Sequence, residues 1–132
     1  SDDTQARERA MATLERFNIA EHRNRLIPEL SGGVKKLLDI AMAMAGETQI
    51  MLLDEPTSGV AADEKFPIMD LVINALRDEG VTVIFVEHDM DIVNRYSERV
   101  VAFYDGQIIA DDTPDVVLSD AEVQRYVTGA PA

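Results

Sequence analysis

Apolar and polar positions along this chain change period at its glycines and prolines, and each change marks an element. Within residues 3–17, Ala6, Ala10, Met11, Leu14 and Phe17 recur at helical spacing between arginines and glutamates, which predicts an amphipathic helix. Residues 18–29 are polar and irregular, Pro28 biases its neighbours away from helix, and His22 reads as a surface residue. Residues 34–45 put Leu37, Leu38, Ala41, Met44 and Ala45 on one helical face, with Gly46 as the stop. Ile50, Met51, Leu52 and Leu53 are apolar without alternation, the pattern of a strand covered on both faces. That strand runs into Asp54, Glu55 and Pro56, and the proline ends the ladder because it has no N–H to donate.

A small-residue loop over 57–64 leads to a helix on which Ile68, Leu71, Val72, Ala75 and Leu76 share a face, stopped by Gly80. Residues 81–86 are β-branched and apolar, a second buried strand, and they end in Glu87, His88 and Asp89. Asp89 caps a short helix through Tyr96 whose inner face is Ile92, Val93 and Tyr96. Strands over 99–104 and 107–110 flank Asp105-Gly106, the dipeptide a two-residue hairpin turn prefers. Thr113-Pro114 opens a further helix, Ser119-x-x-Glu122 reads as a capping box for a last one ending near Val127, and residues 129–132 read as a frayed tail. Strands alternating with helices make this an α/β chain with a mostly parallel sheet and a C-terminal β-hairpin.

The 132 residues suffice for one core, and 46% hydrophobic with 28% charged residues is the balance of a globular chain. Twenty-five acids against twelve bases give a net charge of -13, which repels nucleic-acid backbones. The absence of cysteine removes disulfides, thiolate nucleophiles and Cys-ligated metals. No apolar run is long enough to cross a bilayer, and Ser1-Asp2-Asp3 lacks the basic and apolar regions of a signal peptide. The opening in mid-pattern without a methionine suits a fragment or an added, vector-derived Ser1 equally.

Two stretches carry candidate chemistry. Asp54 and Glu55 stand at the carboxyl end of a buried strand, where open α/β sheets bind ligands, although two acids there also suit an ordinary solvated edge. Ser31-Gly32-Gly33 opens a helix whose first-turn N–H groups are unpaired, which suits either an anion or a plain serine cap. Asp111, Asp112 and Asp115 are better explained by turns and caps than by a metal.

Taken in order, Leu30-Ser31-Gly32-Gly33, the strand ending Asp54-Glu55-Pro56, the loop from Ser58 and the strand ending at His88 resemble the signature motif, Walker B, D-loop and switch histidine of ABC-type ATPases. Gly59 to Glu64, Val86 to Met90 and Tyr126 to Gly129 look most like the ATP-binding subunits of branched-chain amino acid, urea and amide importers. The resemblance implies ATP and Mg²⁺ as ligands, with Asp54 on the metal side, Glu55 polarising the attacking water and His88 on the γ-phosphate. It implies that Ser31, Gly32 and Gly33 meet ATP held by a second subunit, with Asp63 as the nearest D-loop acid. Residues 1–46 then correspond to part of the helical subdomain and 47–132 to the C-terminal part of a P-loop NTPase core. The implied partners are transmembrane permease subunits and a second, head-to-tail ATP-binding subunit, on the cytoplasmic face of the cell membrane.

The sequence departs from the family at several points. No glycine begins a Gly-x-x-x-x-Gly-Lys-Ser/Thr loop, so the Walker A strand and loop are missing, as is the glutamine loop. Val34 replaces the glutamine that usually follows the signature, and Ala61 the usual D-loop acid. The resemblance therefore implies an inactive fragment, whose missing strand leaves apolar edges that rearrange or pair with another copy. Two other classes compete. A DNA-repair or chromosome-maintenance ATPase lobe would need a heptad coiled coil, which residues 1–29 lack, and retention of Asp54, Glu55 and His88 together favours truncation over a non-catalytic interaction module.

Overall fold

In a computed structural model, residues 2–129 are described, and they form two compact units, 2–86 and 87–129. Of the tail expected at 129–132, residues 130–132 lie outside the described residues.

In the first unit, helix α1 spans Asp2–Arg16 and ends where Asn18 takes a left-handed backbone (φ 55°), with the Ile19 N–H reaching the Leu14 carbonyl at 2.9 Å. That is the hydrogen bond of a Schellman stop, with asparagine in the position glycine usually fills. The apolar stripe expected along α1 engages only at its end. Ala6 and Ala10 are exposed, Met11 and Leu14 are half-buried, and Phe17 just beyond the helix is fully buried. Two short 3₁₀ turns, Ala20–His22 and Ile27–Glu29, occupy the irregular stretch. His22 is partly covered rather than a plain surface residue, its ring 23% exposed and Nε2 3.3 Å from Glu21 Oε1.

Helix α2 (Gly32–Ala43) buries Gly33, Leu37, Ile40 and Ala41. It ends before Gly46: Met44 is the capping residue, and the Thr48 hydroxyl donates to the Ala43 carbonyl. Strand β1 (Ile50–Asp54) pairs in parallel with β2 (Thr82–Val86), Leu52 opposite Ile84, and α3 (Lys65–Asp78) makes the crossover. Gly80 (φ 68°) makes the turn into β2. Met51 and Val81, with Leu53 and Val83 partly buried, join Phe17, Leu37, Ile40, Ile68, Val72 and Leu76 in one core.

Neither strand is covered on both faces as expected. Ile50, Leu52, Ile84 and Val86 are 53–73% exposed, because this two-stranded sheet meets the helix core through one face only.

In the second unit, α4 (Met90–Tyr96) is capped by Asp89, whose Oδ1 accepts from the Asp91 N–H at 3.1 Å, and it buries Ile92 and Val93. Strands β3 (Val100–Tyr104) and β4 (Gln107–Asp112) form the antiparallel hairpin, with a register shift between Ala102 and Phe103. Asp105 and Gly106 both have positive φ (50° and 75°), as a type I′ turn demands. Helix α5 (Pro114–Ser119) follows, then α6 (Ala121–Val123) runs into one wide turn, Gln124–Thr128, closed by left-handed Gly129. The expected Ser119 capping box does not form. Ser119 is the last residue of α5 and its hydroxyl bonds back to the Asp115 carbonyl, so Asp120 caps α6 by accepting from the N–H groups of Glu122 and Val123 at 2.9 and 3.0 Å. Ala102, Val117 and Val123 centre this unit's core. Among the described residues no helix is long and apolar enough to cross a membrane.

Candidate functional site

The β1–β2 ladder continues one residue past the strand, the Glu55 N–H donating to the Val86 carbonyl at 2.8 Å, and there it stops before Pro56. Asp54 is exposed at the carboxyl end of β1, and its alternation with Ile50 and Leu52 puts it on the uncovered face of the sheet. Glu55 follows with φ 47°, a left-handed backbone that non-glycine residues seldom adopt and that tends to be kept at functional sites. The chain then turns over buried Pro56 and Thr57, with the Ser58 N–H on the Glu55 carbonyl and the Val60 N–H on the Thr57 carbonyl. Two adjacent carboxylates are thus held at a strand end with their backbone directions fixed.

Ser31 caps α2, its Oγ accepting from the Val34 N–H at 3.3 Å. Packing within the chain requires the first of the glycines after it and crowds the second. A Cβ on Gly32 would stand 2.6 Å from the Gly59 carbonyl oxygen, and one on Gly33 would stand 2.6 Å from Ile68 Cδ1 and 3.2 Å from Glu64 Oε2. The start of α2 is therefore seated directly on the loop that follows Asp54 and Glu55. The sequence pattern left an anion site or a plain serine cap open here and did not indicate Gly59, Glu64 and Ile68 as the neighbours of these glycines. Only the pair of small residues at a helix start hinted at a close contact. Asp63 is exposed in the same loop.

His88 belongs to the second unit. Its side chain is 78% exposed, with Nδ1 3.9 Å from Glu87 Oε1. The Glu87 carboxylate, itself nearly buried, accepts from the backbone N–H groups of His88 and Asp89 at 3.1 and 3.3 Å, which fixes the turn that presents the imidazole. Glu87 is a positioning group that the sequence did not single out.

Among the described residues no group of three or more His, Cys, Asp or Glu is arranged to hold a metal by itself. Magnesium in phosphate chemistry does not need one, since it keeps several waters and takes one or two carboxylates plus substrate phosphates. A single exposed Asp54 at a strand end fits that donor set. Asp111 is instead engaged by Arg99 through two hydrogen bonds of 2.6 and 2.7 Å, and Asp112 Oδ1 accepts from the Thr113 N–H. The Arg99 hydrogen bonds hold the Asp111 carboxyl below the usual carboxylate range.

The sequence model of the ABC transporter family matches residues 2–58. The energy-coupling factor transporter ATP-binding protein EcfA of Methanothermobacter thermautotrophicus is 36% identical over 123 residues, covering 93% of this chain and 39% of that protein. The high-affinity branched-chain amino acid transport ATP-binding protein LivG of Escherichia coli is 31% identical over 126 residues, covering 96% and 49%. Among solved structures, MJ1267, an ATP-binding cassette of an ABC transporter, superposes with a TM-score of 0.81 at 34% identity, over 89% of this chain and 48% of that one. The chain thus spans half or less of the length of each of these relatives.

Proposed function

We propose that this chain, which is part of an ABC transporter ATP-binding domain, supplies the water-activating and signature portions of an ATPase that drives solute import. The observation that carries this reading is the end of β1. The ladder stops at Glu55, leaves Asp54 and Glu55 side by side, and seats the Ser31-Gly32-Gly33 turn on the loop they open. Magnesium bound with ATP supplies charge neutralisation at the phosphates. Asp54, exposed at the end of the strand, would hold the magnesium ion. Glu55 would accept the proton of the attacking water. His88, presented by the Glu87-braced turn, hydrogen-bonds the γ-phosphate.

Ser31 and the first-turn N–H groups of Gly32 and Gly33 face ATP bound by a second ATP-binding subunit, with Asp63 beside that junction. In this reading residues 1–46 act as helical-subdomain part and 47–132 as part of the catalytic core. Permease subunits recruit the assembly to the cytoplasmic face of the membrane, and branched-chain amino acids or related small polar solutes are the cargo. LivG, matched over nearly the whole of this chain, supports that cargo class. Because the chain contains no Gly-x-x-x-x-Gly-Lys-Ser/Thr loop, it does not turn over ATP alone.

A chimera tests the proposal. Residues 2–129 are exchanged for the matching half of MJ1267, and phosphate release from MgATP is compared with that of the isolated chain. Turnover by the chimera and none by the isolated chain is the expected result. An inactive, folded chimera, or an isolated chain that turns over as fast as the chimera, contradicts it.

A further inference from the structure

Glu87 is a carboxylate held almost out of solvent, with 2% of its side chain exposed, directly before a histidine whose side chain is 78% exposed. Burying such a group is costly unless hydrogen bonds compensate, and here the backbone N–H groups of His88 and Asp89 donate to Oε1 at 3.1 and 3.3 Å. Bracing a turn does not itself require a charge, since the oxygen of a glutamine accepts the same two bonds. The group that does feel the charge is the neighbouring ring. Nδ1 of His88 stands 3.9 Å from that same oxygen. The separation exceeds a hydrogen bond, and only the exposed imidazole has room to close it. A carboxylate can only accept, so the nitrogen facing it is the one that carries a proton.

His22, the only other histidine, is arranged in the opposite sense. Its Nδ1 is buried without a partner, and its Nε2 lies 3.3 Å from Glu21, whose side chain is 79% exposed. A proton on the buried Nδ1 would be an unsatisfied donor, so the ring carries it on Nε2.

We propose that Glu87 is the positioning residue of His88: it holds the imidazole as the Nδ1–H tautomer with Nδ1 turned toward itself, and so reserves Nε2 for a phosphate oxygen. The phosphate rests on the ATPase reading; the tautomer does not. Because Nε2 of that tautomer is itself an acceptor, contact with a phosphate takes the ring as its cation. The added proton comes from solvent, and the ring then donates through Nδ1 to Glu87 and through Nε2 to the phosphate.

The test is a two-bond proton–nitrogen correlation spectrum of the imidazoles in the 132-residue chain, without nucleotide, at about pH 9, well above the ordinary imidazole range. His22→Gln assigns the two rings. Opposite tautomers are expected, Nδ1–H at His88 and Nε2–H at His22. Glu87→Gln keeps an oxygen for the two backbone N–H groups and turns an amide N–H toward the ring, so His88 is expected to change to Nε2–H with the circular dichroism of the chain unchanged. Nε2–H at His88 in the parent chain overturns the proposal, as does a tautomer indifferent to Glu87→Gln, which would leave Glu87 as a brace of the turn alone. In the MJ1267 chimera the same variant is expected to lower MgATP turnover about tenfold, and turnover equal to the parent's overturns the assignment of Nε2 to phosphate. A chimera that is inactive with Glu87 in place counts against the ATPase reading, while the spectra still decide the tautomer.

Discussion

A methyl group on Gly32 would meet the Gly59 carbonyl oxygen at 2.6 Å, and a backbone carbonyl braced by its own turn cannot swing aside. Gly32→Ala should therefore lower stability by about 1–3 kcal/mol in urea denaturation, against the ordinary gain from replacing glycine in a helix. Gly33→Ala should cost less, since the nearest atom is the end of the Ile68 side chain, which can rotate. Gly46→Ala is the control: with nothing within 4 Å and no positive φ, it should be neutral or stabilise by up to about 1 kcal/mol. The same scale holds a pH prediction. Asp111 is held below the usual carboxylate range by Arg99, so the pair's contribution is complete above that range and lost as pH falls through the lowered folded pKa. A carboxyl NMR titration should find Asp111 titrating below an ordinary aspartate and returning to the normal range in Arg99→Ala. With the two side chains 72% and 38% exposed, the effect on stability should be small.

Elements were legible wherever periodicity was long and punctuation strong. The helices over Asp2–Arg16 and Lys65–Asp78, the Asp105-Gly106 hairpin and the Asp89 cap follow from spacing and turn chemistry alone. The carboxylates Asp54 and Glu55 were legible as a strand end for the same reason. What failed had a physical cause. Four apolar residues in a row state that a strand is meant to be covered on both faces, but not whether the chain itself brings both covers, and here the core lies on one side only. The Gly32 contact with Gly59 joins residues far apart in sequence, which no local pattern encodes. The cap of the last helix was missed because Ser119 and Asp120 are both capping residues. The neighbour that wins is the one left extended, Asp120 at ψ 128°, while Ser119 bonds to its own helix. Asp120→Ala should thus cost about 1 kcal/mol of thermal stability, and Ser119→Ala should remain within about 0.5 kcal/mol of the parent.

At the scale of the whole molecule, a net charge of -13 on 132 residues means self-repulsion that salt screens. The melting temperature should rise between low salt and about 0.5 M sodium chloride, where the Debye length has shrunk to a few ångströms. A melting temperature that falls or stays flat would show that local ion pairs such as Arg99 with Asp111 outweigh the global repulsion. The same charge opposes contact between copies of the chain. In the proposed reading Asp54 and Glu55 would be half of a catalytic centre that the rest of an ATP-binding domain completes.

The central claim is that Glu55 activates water in that completed centre. Its most direct test is the rate of MgATP hydrolysis by the MJ1267 chimera carrying Glu55→Gln, measured beside its nucleotide affinity. A fall in turnover of about 10²–10⁴-fold with ATP binding retained is the predicted result. Turnover unchanged by Glu55→Gln would contradict the account.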